Sequence, residues 1–372
     1  MRVRHWTLNL LLVQLLHQIY STSRSSSVLS APAICPPAYT VYPCDCSTRL
    51  SQFNCGKTIS SNLVLKQIFQ ESSRQLIPST DSGQPSVVIY EKFQFQNSIV
   101  DSIESDTLDR YAFRELAIDH NDYLETIHTE AFKSTYGITD RVVLEANPSL
   151  GRRDDSVDQL FRVLSQFLNA SLIHVVDCGL KYIPADAFRQ ISGPQSRLRR
   201  LSLANNRIGS IGDRAFSQLP SISYLSLQNN LIDRLDPQSL TFSDPHVVRD
   251  SGGGGGGRAI GGHLFIDLSK NRLNSTSFRS GSLLAIGRPY VDLQLSDNLI
   301  DYLNESLVKP LFKLRSVTLK LWRNPINCSD CRMRWTTAEK HCGGNHNNNL
   351  TISYGQRIDF QCRLFKDNFR HS

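Results

Sequence analysis

The sequence predicts an α/β solenoid, with a curved parallel β-sheet on a concave face, short helices and turns on a convex face, and a disulfide-bonded cap at each end. Three observations predict it. A pattern Leu-x-Leu-x-x-Asn-x-Ile-x-x-Ile/Leu runs over Leu201-Ser-Leu203-Ala-Asn-Asn206-Arg-Ile208-Gly-Ser-Ile211 and returns 24 residues later over Leu225-Ser-Leu227-Gln-Asn-Asn230-Leu-Ile232-Asp-Arg-Leu235. The Asn slot recurs along most of the chain at intervals proper to a solenoid. Eight of the nine cysteines fall into two blocks of four that bracket the repeats. A solenoid works through a surface, so candidate residues are sought on a face and not in a pocket.

The chain opens like a secretory signal over residues 1–25: Arg2 and Arg4, an apolar stretch from Trp6 to Leu16, then small polar residues from Ser21. Cleavage is expected between Ser23 and Ala33. That stretch is too short for a stable membrane anchor, and no later segment reads as a membrane span. The end, Phe369-Arg-His-Ser372, lacks the apolar tail of a lipid-anchor signal. A secreted, extracellular product is expected.

Residues 35–85 form a cysteine-rich N-terminal cap with Cys35, Cys44, Cys46 and Cys55, followed by the lead-in to the first repeat. An open solenoid end would expose core and an unpaired strand edge, and the cap covers both.

The array spans residues 86–325. Its register marks are Ser98, Asn121, Asn147, Cys178, Asn206, Asn230, Asn271, Asn298 and Asn324, nine units with steps of 23, 26, 31, 28, 24, 41, 27 and 26 residues. Two alternating apolar residues precede each mark, from Phe93/Phe95 to Leu319/Leu321, and alternation means a short strand with one face inward. The Asn side chain donates to and accepts from the bend that ends each strand, where backbone groups would otherwise be buried unpaired. Cys178, the ninth cysteine, occupies this slot as a buried, inert thiol. Ala131-Phe132, Ala187-Phe188 and Ala215-Phe216 fall 10 or 11 residues after a mark and should plug the convex side.

Two steps are long. The 31-residue step holds Leu160, Phe161, Val163, Leu164, Phe167 and Leu168, the pattern of an amphipathic helix. The 41-residue step holds Gly252 to Gly257, with no Lys-Ser/Thr behind it to make a phosphate loop. It reads as a flexible insertion over 243–262.

Residues 326–372 form the second cap, with Cys328, Cys331, Cys342 and Cys362, and a short helix is expected between Cys331 and Cys342. In an oxidising compartment each block should make two disulfides, and four cysteines allow three connectivities. Cys328-x-x-Cys331 lacks the second ligand pair of a zinc site, so no metal is expected. Sequons stand at Asn169, Asn274, Asn304, Asn327 and Asn349, with Asn327 the poorest because it abuts Cys328.

Repeat register and both cysteine blocks together resemble the extracellular leucine-rich repeat family with cysteine-rich caps. The resemblance covers roughly residues 35–362 and implies the pairs Cys35–Cys46, Cys44–Cys55, Cys328–Cys342 and Cys331–Cys362. Cys328-Ser-Asp-Cys331 departs from the family, which usually has one residue between these cysteines. The opening Ile34-Cys-Pro-Pro-Ala38, Pro43-Cys-Asp-Cys46, Phe53-Asn-Cys55 and Leu65-Lys-Gln-Ile68-Phe69 is similar to arthropod proteins named after the non-catalytic subunit of Oplophorus luciferin 2-monooxygenase. That resemblance implies an alternative role as a non-catalytic subunit of a secreted enzyme complex.

Outward strand residues line the expected binding face: His120, Glu145, His174, Arg200, Tyr224, Gln228, Asp267, Lys270, Gln294, Lys320 and Trp322. Tyr224 and Trp322 are the aromatic anchors there, unless both pack locally. Glycans at Asn169, Asn274, Asn304 and Asn349 would leave this face open. The partner expected is a protein: a receptor, a ligand or a companion subunit. Sulfated glycan is a second class, through Arg197, Arg199 and Arg200 or through Lys320, Arg323, Arg332 and Arg334. The excess of 41 Lys and Arg over 34 Asp and Glu includes no dense basic block, so no nucleic acid is expected. No nucleophile elbow, zinc-binding His pair or nucleotide loop appears, so neither catalysis nor a cofactor is expected.

Overall fold

The computed structural model describes residues 34–56, 59–76, 87–191, 196–242, 263–283, 286–309, 311, 314, 316–327, 330, 332, 349–353 and 356–359. The signal stretch, the glycine-rich stretch 243–262, all four C-terminal cysteines and the helix expected between Cys331 and Cys342 lie outside the described residues.

The strands in chain order are β1 (Asp45–Ser47), β2 (Gln52–Cys55), β3 (Val88–Gln96), β4 (Ser102–Ile103), β5 (Tyr111–Asp119), β6 (Thr126–Ile127), β7 (Arg141–Glu145), β8 (Leu172–Val176), β9 (Tyr182–Ile183), β10 (Arg200–Ser202), β11 (Ser210–Ile211), β12 (Tyr224–Ser226), β13 (His263–Asp267), β14 (Tyr290–Gln294), β15 (Ser316–Lys320), β16 (Asn349–Ser353) and β17 (Gln356–Asp359). Thirteen of them build one sheet in the order β1-β2-β3-β5-β7-β8-β10-β12-β13-β14-β15-β17-β16. From β2 to β17 the pairing is parallel, as a solenoid requires. The outermost strands, β1 and β16, run antiparallel to their neighbours. Away from the sheet, β4 pairs with β6 and β9 with β11.

Inward residues of the strands form the core: Leu116, Ile118, Ile173, Val175, Leu201, Leu203, Leu225, Leu227, Ile266, Leu268 and Leu293 are all fully buried. Burying such a side chain contributes roughly 1.5–3 kcal/mol. The apolar slots of the repeat are therefore where most of the stabilisation resides.

Each asparagine register mark satisfies the bend behind its strand. Asn230 accepts from the Ile208 N–H on Oδ1 at 3.0 Å, and its Nδ2 donates to the carbonyls of Leu203 and Leu227, both at 3.0 Å. Asn206, Asn271, Asn298 and Asn324 repeat the arrangement. At Cys178 the backbone N–H still donates to Asn206 Oδ1 at 3.0 Å, while the sulfur lies 3.3 Å from the Val176 carbonyl and 3.6 Å from that of Leu144 and accepts from Asn147. Burial pushes this thiol up to about 12, so it stays protonated and unreactive.

The residue before each mark is left-handed. Asn97, His120, Ala146, Asp177, Asn205, Asn229, Lys270, Asp297 and Arg323 have φ between 53° and 58°. Asn and Asp tolerate this backbone; Ala, Lys and Arg adopt it only when the surroundings force it. The force is the next turn's carbonyl: the Ala146 N–H donates to Val176 O at 3.0 Å and the Lys270 N–H to Ser296 O at 2.9 Å.

On the far side from the sheet, Phe188, Phe216 and Phe242 stack in succession, with centroids 6.4 and 5.7 Å apart. The Ala-Phe pairs are buried there as expected. The amphipathic helix forms over Asp154–Leu164 and buries Leu160, Phe161, Val163 and Leu164. Leu168 does not join that face. The helix ends at Leu164, the chain turns, and Leu168 is left 51% exposed.

At the N-terminal end the disulfides are Cys35–Cys46 and Cys44–Cys55. A helix not foreseen in the sequence, Asn62–Leu76, lays Leu65, Ile68 and Phe69 into the core. Phe69 packs among Phe53, Phe93, Tyr111 and Phe113, with ring centroids 5.5 to 6.3 Å away. Near the other end, buried Arg288 donates from Nη2 to the carbonyls of Leu219 at 3.1 Å and Pro220 at 2.9 Å. This ties the turn before β14 to the turn before β12.

Candidate functional site: the outer face of the sheet

Strand alternation sends every second side chain to the outer face, and parallel register aligns these into rows crossing the strands. One row lies six residues before each mark: Lys92, Glu115, Arg141, Leu172, Arg200, Tyr224, Phe265, Asp292 and Thr318. A second lies four before: Gln94, Ala117, Val143, His174, Ser202, Ser226, Asp267, Gln294 and Lys320.

The first row begins polar and turns aromatic. Glu115 is shared by Lys92 at 3.2 Å and Arg141 at 3.3 Å, so both cations at that end have a carboxylate partner. Tyr224 and Phe265 then lie face to face, 5.3 Å between centroids and 5° between planes. Tyr224 keeps 37% of its surface exposed. Burial raises its phenol, with Asp267 adding to the shift. Beyond them, Asp292 pairs with His263 Nε2 at 3.1 Å. Arg200 is exposed and, among the described residues, sits in no ion pair.

In the second row Ser226 is nearly fully buried and Ser202 half-buried, so the floor beside the aromatic pair is low. Asp267 accepts from the Ser269 N–H at 2.9 Å and from its hydroxyl. Burial lowers the His174 imidazole against the opposing pull of Glu145 and Asp177.

Of the eleven residues read from the sequence, Arg200, Tyr224, His174, Asp267, Gln294, Lys320 and Glu145 lie on strands. His120 and Lys270 do not: they are the left-handed residues of the bends, so their side chains leave from the rim of the sheet. Gln228 and Trp322 also lie past their strands, which end at Ser226 and Lys320. Their carbonyls accept from the N–H groups of Asn205 and Asp297, each at 2.9 Å. Trp322 is half-buried.

Sequence reasoning missed Leu172, Phe265 and Asp292. The signal was present, because each stands at the same six-residue offset from its mark as Tyr224 does.

Among the sequons, the side chain of Asn169 donates from Nδ2 to Gly137 O. Asn274 and Asn304 present Oδ1 to the hydroxyls of their own Thr276 and Ser306, at 2.7 and 2.8 Å. Asn349 opens β16. Among the described residues no group of three or more His, Cys, Asp or Glu side chains is placed to hold a metal ion.

A family model described as "Leucine rich repeat" matches residues 196–243. Among solved structures, human 5T4 (Wnt-activated inhibitory factor 1, trophoblast glycoprotein) is similar at 17% sequence identity and a TM-score of 0.36, over 85% of this chain and 90% of that chain. No curated protein matches the chain. The fold is a leucine-rich repeat solenoid, an architecture of protein-interaction modules. The two disulfides among the described residues are of the kind that persists in an oxidising compartment. No described helix is long and apolar enough to cross a membrane.

Proposed function

We propose that this chain is a secreted, non-enzymatic interaction protein that binds a protein partner through the outer, concave face of its sheet. One observation carries the reading: the row Leu172, Arg200, Tyr224, Phe265 sets two partly exposed aromatic rings beside a cation that has no ion-pair partner among the described residues. Aromatic and arginine side chains dominate the energetics of protein interfaces. Glycans on Asn274 and Asn304 fit the same reading, because neither asparagine belongs to an outer row.

The test is a pair of substitutions on this face and one on the opposite side. Tyr224→Asp and Phe265→Asp should each weaken an identified interaction at least tenfold, about 1.4 kcal/mol. Arg189→Asp, next to the buried Phe188 on the convex side, should leave it unchanged. Equal affinities across all three would remove the concave face from the account. If the native protein carries a second chain in fixed ratio, the role becomes that of a non-catalytic subunit.

A further inference from the structure

The centre of the outer face has a polarity that narrows the partner's chemistry. Three charged side chains flank the aromatic pair, Arg200 on one side and Asp267 and Asp292 on the other, with the His263 imidazole against Asp292. Asp292 is occupied by the imidazole and Asp267 by the Ser269 N–H and hydroxyl. The cations further along the same row, Lys92 and Arg141, are held by Glu115. Arg200 is the exception, exposed and in no ion pair among the described residues.

The neighbouring row is low. Ser202 lies beside Arg200 on β10 and Ser226 beside Tyr224 on β12, and Ala204 is 9% exposed just beyond β10. The aromatic stack therefore stands as a ridge above a floor of small side chains. Adjacent strands are about 4.8 Å apart, so the step from Arg200 across Tyr224 to Phe265 spans roughly 10 Å, the reach of about three residues of extended chain.

We propose that Arg200, Tyr224 and Phe265 dock an extended segment of the partner that sets a carboxylate on Arg200 and an apolar side chain against the aromatic stack. This rests on the concave-face reading above. A guanidinium fork binds a carboxylate with two parallel hydrogen bonds, and the low floor lets the partner's main chain approach the sheet. A sulfated glycan fits less well, because the two rows that carry Arg200 and the aromatic pair also carry Glu115, Asp267 and Asp292, carboxylates that repel a polyanion.

The test is to pan a random-peptide phage library on the full-length, disulfide-intact protein. The expected peptides carry Asp or Glu within two residues of Leu, Phe, Tyr or Trp. A synthetic copy of the best one should lose about 30-fold in affinity on Arg200→Glu and on Phe265→Asp. Panning on the Arg200→Glu variant should yield Lys or Arg in the acidic place. Arg200 is exposed and Phe265 half-buried, and matched thermal unfolding of each variant confirms the fold.

Peptides that ignore Arg200→Glu but are lost on Phe265→Asp would overturn the carboxylate assignment and leave the concave face standing. Peptides indifferent to both substitutions would overturn the two together. A failure to enrich any peptide over background would sink the proposal. So would salt-sensitive heparin capture that depends on Arg200, which would move the site to sulfated glycans.

Discussion

Tyr224 and Phe265 stack with centroids 5.3 Å apart and planes 5° from parallel, although 41 residues separate them in the chain. Register alone brings them together, because each lies six residues before its Asn mark, on adjacent strands. Such a pair is coupled by about 0.5–1.5 kcal/mol beyond the area it buries. A double-mutant cycle of Tyr224→Ala and Phe265→Ala, read by chemical denaturation, should return a coupling in that range. Strictly additive losses would contradict the stack.

The Asn ladder predicts a sharper effect. Asn206 accepts from the N–H groups of Cys178 at 3.0 Å and Leu180 at 3.1 Å and donates to the carbonyls of Val175, Leu203 and Ala204. Asn206→Ala orphans several buried backbone groups at once, each costing about 1–3 kcal/mol. The expected loss is at least ~3 kcal/mol in denaturant titration. Cys178→Asn should be neutral or stabilising, since it replaces a weak thiol donor with the amide that fills the same slot in the neighbouring turns. In the unmodified protein the Cys178 thiol should resist iodoacetamide until denaturant is added.

Much of this was legible in the sequence. The repeat slots announce themselves because each is one kind of contact, an inward apolar residue or an amide on a bend. The N-terminal disulfide pairing agrees with the resemblance to capped leucine-rich repeat proteins. The left-handed bend was half legible: Asn and Asp at five of the nine positions hint at it. Ala146, Lys270 and Arg323 carry no such hint, because the ladder and not propensity holds them there. His120 and Lys270 were therefore read as strand residues. Phe265 went unseen, with Leu172 and Asp292, because the outward residues were sought nearer the marks and the row six residues before them was followed only at Arg200 and Tyr224. The helix Asn62–Leu76 was masked by two serines, Ser72 and Ser73, which its structure buries against the body of the protein.

Backbone strain offers a stabilising substitution. Ala146 holds φ 53°, which costs an L-residue roughly 1–2 kcal/mol and glycine nothing. Glycine's greater freedom in the unfolded chain returns about half of this. Ala146→Gly should thus stabilise by about 0.5–1 kcal/mol, seen as a higher denaturation midpoint. A loss of stability would mean that the methyl group packs usefully.

His174 predicts a pH dependence. Burial sets its folded pKa below the unfolded value of about 6.5. Its contribution is fully present above that unfolded value and is lost as the pH falls through the folded one, because the unfolded chain binds the proton first. The unmodified protein should therefore lose more stability than His174→Gln between about pH 7.5 and pH 5. Urea midpoints across that range decide it, and parallel losses would contradict the assignment.

The most direct test of the central claim is position-dependent photo-cross-linking in native material that contains the protein and its partner. A photoreactive phenylalanine analogue at position 265 should join the chain covalently to one protein partner, and the same group at position 189 on the convex side should not. A cross-link from position 189 alone, or none from position 265 in material that retains its partner, would contradict binding through the sheet's outer face.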